Sequence, residues 1–208
     1  MNSYESHLDG AARLAANYLR KIGTRRVVPS ASEIEALEAL SGPLPESPLS
    51  PAEVLALVDR IGSPATIATT GGRYFGFVNG GTLPAALAAS WLVSAWDQNV
   101  SLRVMSPAGA AFEDVALDWV LDILRLPQTS GGAIVTGATM ANFCGLAAAR
   151  HALLRRSGWN VEEDGLFGAP PLRLVVGDEV HISLLKAVAL LGLGRQRVER
   201  VAVDRQGR

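Results

Sequence analysis

Cysteine occurs once in the 208 residues, at Cys144, so no disulfide can form within the chain. Histidine occurs three times, and neither CxxC nor HxxxH spacing is present, which leaves a metal centre unsupported. An excess of charge is also missing. Nineteen basic against twenty acidic side chains give a net charge of −1, so there is no electrostatic footprint for a nucleic-acid backbone or an anionic membrane surface. Apolar runs such as 83–96 are broken by small and polar residues and fall short of the ~20 residues a membrane span needs. The start, MNSYESHLDG, lacks the basic-then-apolar design of a secretory signal, and a cytoplasmic location is expected. Three nucleotide and hydrolase signatures are absent as well: GxGxxG, GxxxxGK[ST] and the GxSxG elbow.

What is present is a chain that can bury a core, with 49% hydrophobic residues and a mean hydropathy of +0.22. Residues 6–22 place Leu8, Ala11, Ala12, Ala15, Tyr18, Leu19 and Ile22 at helical spacing, and Gly23 follows as a stop. Two capping boxes are expected, Ser32 with Glu35 and Ser50 with Glu53, the second with Pro51 at the first helical position. They predict helices over 32–40 and 51–61. Between them, SGPLPESPLSP holds four prolines in eleven residues and reads as an extended linker. Residues 1–62 therefore read as an arm of short helices, too small to enclose a core of its own and in need of another surface.

Helices are predicted over 83–96 and 107–125, the latter with Val115, Leu117, Val120, Leu121 and Leu124 facing inward. The pattern then changes to short apolar strands alternating with helices: strand 133–135, helix 139–156, strand 172–176, helix 183–191, strand 198–203. That alternation indicates parallel α/β structure. Cys144, inside the alanine-rich helix 139–156, reads as a buried, inert residue, and His7 and His151 read as solvated.

Three segments carry candidate chemistry. Gly137-Ala138-Thr139 lies where a strand gives way to a helix, so its free backbone N–H groups and the Thr139 hydroxyl suit an anion such as phosphate, or simply start the helix. His181, in Gly177-Asp178-Glu179-Val180-His181, falls at the carboxyl edge of the predicted sheet, where it can stack on a flat ring or cap the next helix. Asp178 can orient it or close the turn. The loop RYFGFVNGG, residues 73–81, sets aromatics beside glycines and one amide, and suits either a substrate pocket or a packed turn.

Taken in order, the arm, the RYFGFVNGG loop, the helix opened by Ser106-Pro107 with Glu113 in it, the turn TGATMAN and the strand with GDEVH resemble the group II pyridoxal-phosphate-dependent decarboxylases. This is the family of the glutamate and aromatic amino-acid enzymes, and the resemblance covers nearly the whole chain. It implies an α/β fold, the fold-type I transferase-like large domain in incomplete form, preceded by the helical arm. Residues 1–62 would be exchanged between the subunits of a homodimer, and 63–208 would be the first part of the cofactor domain. The implied cofactor is pyridoxal 5'-phosphate, with Ala138 and Thr139 holding its phosphate and His181 stacked on its ring as the catalytic residue. Phe77 and Asn79 would meet the substrate, and with Arg73 as the loop's one cation an apolar or aromatic amino acid is favoured over a dicarboxylate.

The implied reaction is α-decarboxylation of an L-amino acid. The chain has two lysines, Lys21 at the end of the arm helix and Lys186 at a position that reads as solvated. In the family, the lysine that links to the cofactor and the acid beside the pyridine nitrogen come from later strands. Residues 1–208 thus read as roughly the first half of such an enzyme, expected to be inactive alone. Another fold-type I enzyme acting on a different Cα bond, and a non-catalytic dimerisation module, stay open as readings.

Overall fold

A computed structural model describes residues 3–207. The chain divides into two compact units, Met1–Gln98 and Asn99–Arg208.

In the first unit, α1 (Ser3–Lys21) carries Glu5 in its first turn and Arg20 and Lys21 in its last, which complements the helix dipole. It packs on α3 (Pro51–Leu57). Beyond α1, Arg25 lies 4.8 Å from the centre of the Tyr18 ring and donates to the Ser63 carbonyl, while the Tyr18 hydroxyl sits 2.9 Å from Thr66 Oγ1. One cation thus fastens the end of α1 to the segment after α3.

The capping box of α2 (Ala31–Glu35) is formed by Ser30 and Glu33, two residues earlier than expected. Ser-x-x-Glu occurs at both 30/33 and 32/35, and the earlier pair lengthens the helix by placing Ser32 inside its first turn. The helix then tightens into a 3₁₀ turn, Ala36–Leu40. At α3 the expected box is present, Ser50 with Glu53 behind Pro51, and the helix widens into one π turn, Val58–Gly62, that buries Ile61. The last helix of this unit, α4 (Pro84–Trp96), ends at Asp97 in the left-handed conformation and buries none of its residues.

In the second unit, α5 (Pro107–Leu124) starts at Ser106, whose buried hydroxyl accepts from Gly109 N at 3.3 Å. Of its five residues expected to face inward, only Leu121 is buried; Val115, Val120 and Leu124 are exposed. Their spacing is helical, and the described residues leave most of that face exposed.

The core of this unit is the packing of α6 (Ala138–Arg156) on α8 (Ile182–Leu190), with Leu154, Ala187 and Val188 fully buried and Leu185, Leu191 and Val161 close behind. The short α7 (Val161–Asp164), capped by Asn160, closes one end. Strands β1 (Val175–Gly177) and β2 (Glu199–Val201) pair in parallel, Val175 opposite Glu199 and Gly177 opposite Val201, and with α8 between them they form a β-α-β unit. Arg173 clamps Glu199 through two bonds of 2.9 and 2.6 Å, which holds the Glu199 carboxyl below its ordinary range.

The parallel α/β reading therefore holds, but the expected strand 133–135 is not one. No partner strand lies beside it among the described residues, and Ile134 is exposed with its N–H 3.5 Å from Glu113 Oε1. Cys144 is exposed rather than buried, because α8 covers another side of α6. His151 is likewise not simply solvated, since its Nδ1 lies 3.4 Å from Glu162 Oε1. Lys186 is exposed, as expected. Among the described residues no helix is long and apolar enough to cross a membrane.

Candidate functional site

The N-terminus of α6 differs chemically from its neighbours. In its own unit α5, α7 and α8 each have a side-chain cap, whereas α6 begins at Gly137 with none; in the other unit α4 also starts without one. Gly137 has φ 157° and ψ 176°, a conformation open essentially to glycine alone. The first bond of the helix runs from Ala141 N to Gly137 O, so the N–H groups of Ala138, Thr139 and Met140 precede the helical ladder. They point outward at the positive end of the dipole, beside the half-buried Thr139 hydroxyl. A space empty of atoms within 4 Å surrounds the point where a Gly137 Cβ would stand. A doubly charged, many-acceptor group such as a phosphate monoester fits this donor set.

Beside it stands the start of α8. His181 is the N-cap: its Nδ1 accepts from Ser183 N at 3.2 Å and lies 2.9 Å from Ser183 Oγ. Ser183 is buried, and its Oγ accepts from Asn142 Nδ2 at 3.0 Å. Asn142 sits one turn into α6. Two candidate residues from the sequence, Thr139 and His181, thus belong to helix starts joined by one side-chain bond across 41 positions of sequence. The backbone of Asp178 is held to β2, its N–H donating to Val201 O at 2.9 Å and its carbonyl accepting from Arg200 Nη1 at 2.8 Å, while Val180 N–H closes the turn onto Gly177 O at 3.1 Å.

Sequence reasoning missed Asn142 and Ser183. One signal was available, because an asparagine inside an alanine-rich helix is a poor helix former and marks a tertiary bond.

Phe77 and Asn79 lie in the loop of the first unit. Asn79 Nδ2 donates to the Tyr74 hydroxyl at 3.1 Å. Phe77 and Val78 both adopt left-handed backbone, φ 54° and 56°, which costs about 1–2 kcal/mol at each non-glycine position, and both side chains are exposed. Arg73 donates to the Arg25 carbonyl.

Tryptophan decarboxylase 1 of Oryza sativa subsp. japonica is 33% identical over 131 residues, 58% of this chain and 25% of that protein. A crystal structure of mouse CSAD superposes with a TM-score of 0.86 at 23% identity, over 99% of this chain and 43% of that one. One of Oryza sativa TDC with PLP and tryptamine gives 0.85 at 25% identity, over 99% and 43%. The chain therefore spans about a quarter of the length of its curated relatives and under half of these solved chains. Residues 45–208 match the pyridoxal-dependent decarboxylase conserved domain, and the chain belongs to that family.

Proposed function

We propose that this chain forms the phosphate- and ring-binding part of an enzyme that removes the α-carboxylate of an L-amino acid as CO₂, with pyridoxal 5'-phosphate as cofactor. The uncapped start of α6 at Gly137, tied to the His181 turn through Asn142 and Ser183, carries this reading. Ala138 and Thr139 hold the cofactor phosphate through backbone N–H groups and the Thr139 hydroxyl. His181 would hold the pyridine ring through its imidazole, whose orientation the helix cap restricts. When bound, the cofactor supplies the electron sink that accepts the pair left at Cα as CO₂ departs.

Phe77 and Asn79 are proposed to meet the substrate. Arg73, the loop's one cation, is committed to the Arg25 carbonyl, which favours an apolar or aromatic side chain over a second carboxylate. The assembly is proposed to be a homodimer in the cytoplasm, with the arm of residues 1–62 lying against the partner subunit.

Release of CO₂ from a panel of L-amino acids by the whole enzyme of which this chain forms part, with cofactor present, tests the reaction. Turnover of an aromatic amino acid above glutamate is expected, with His181→Ala losing roughly a hundredfold in rate while retaining cofactor. Turnover unchanged in that variant removes His181 from the site, and no CO₂ from any amino acid overturns the reaction.

A further inference from the structure

Resting on the reading of His181 as the ring-facing residue, we propose that Asn142 and Ser183 are positioning residues that hold its imidazole in one orientation and one tautomer, with the proton on Nε2. The hydrogen-bond directions leave little choice. A backbone N–H can only donate, so the bond from Ser183 N requires a lone pair on Nδ1. The Asn142 amide donates to Ser183 Oγ, so the one hydroxyl proton of Ser183 is free to go to Nδ1 at 2.9 Å. The one lone pair of Nδ1 is therefore shared by the two donors of Ser183, and in the neutral ring the proton sits on Nε2, the edge turned away from Ser183.

The pieces are held firmly. Ser183 is 6% exposed, and its helix packs α6 through the fully buried Leu154 and Val188. A ring fixed in this way presents one face and its Nε2–H donor without losing rotational entropy when a planar ligand arrives. Asn142 ties that geometry to the helix whose start offers the anion site, so a shift at one helix start is passed to the other.

The test reads His181 directly. The chain has three histidines, so ¹⁵N-histidine labelling gives three ring systems, assigned with His7→Gln and His151→Gln. The full chain is expected to show His181 as the Nε2–H tautomer before any cofactor is added. Ser183→Ala and Asn142→Ala should each raise the Nδ1–H population severalfold, and Ser183→Thr, which keeps the hydroxyl, should restore the original signature. In the cofactor-loaded whole enzyme the two alanine variants should lose about tenfold in kcat with the cofactor Kd within about twofold of the parent.

A native Nδ1–H ring, or a tautomer signature and kcat untouched in both alanine variants, overturns the positioning role. The tautomer readout needs no cofactor. Failure to bind pyridoxal phosphate would instead overturn the proposed function, while the cofactor-free spectrum alone decides the positioning role.

Discussion

Gly137 shows how one residue shapes the candidate site. Its φ and ψ exclude other residues on backbone grounds, while a Cβ there would meet nothing within 4 Å. Gly137→Ala and Gly137→Leu should therefore destabilise alike, by about 1–3 kcal/mol, since strain rather than side-chain volume sets the cost. Thermal melts check this; a far larger loss for leucine would mean a crowded turn. His181 was legible from sequence as a residue at a sheet edge before a helix, and both of its possible roles were visible. That it caps the helix is observed. Asn142 stood out as a poor helix former, but its pairing with Ser183 was not legible, because the bond spans 41 residues and exists only once α6 packs on α8. Local pattern carries no information about such a pair.

Helices were read well and strands less so. Each predicted helix is present within a few residues, because apolar spacing, Ser-x-x-Glu boxes and proline stops are local signals. The expected strand 133–135 had the right composition, but a strand is defined by its neighbour, and none lies beside it among the described residues. Where packing is complete, its cost should be measurable: Leu154→Ala, at the α6–α8 contact, should lose about 2–5 kcal/mol in denaturant unfolding. A loss under about 1 kcal/mol would mean that these helices are not the core.

Acid should act first at the helix starts and the strand clamp. Bonds from Ser30, Ser50 and Arg173 hold the carboxyls of Glu33, Glu53 and Glu199 below the ordinary glutamate value of about 4.3. A lowered folded-state value gives stability that is complete above the unfolded value and is lost as pH falls through the folded one. Stability should therefore hold from neutrality to about pH 5 and decline below about pH 4. Glu53→Gln should flatten its share of that decline in circular dichroism, and an identical acid profile would contradict the assignment.

At the scale of the molecule, apolar faces exceed what the chain itself covers. On α5, Val115, Trp119 and Ile123 follow one another along a stripe and are 46%, 68% and 76% exposed, and α4 leaves Leu92 and Val93 open. Soluble monomers rarely expose large contiguous apolar patches, so these faces are expected to be covered in the assembled protein. Periodicity told which residues seek burial and could not tell against what, which is why α5 was expected to face inward. Sedimentation is expected to show an assembly of at least two copies, with Trp119→Glu and Ile123→Glu shifting it toward monomer. A monodisperse monomer of the parent protein would contradict the homodimer.

The account stands on the start of α6 as a phosphate site. Parallel equilibrium titrations with pyridoxal 5'-phosphate and with pyridoxal, on the parent protein and on Thr139→Leu, test it most directly. The phosphorylated form should bind at least about tenfold more tightly, a difference of about 1.4 kcal/mol, and Thr139→Leu should remove most of that advantage. Equal affinity for the two forms, or a preference for phosphate that Thr139→Leu leaves intact, would contradict it.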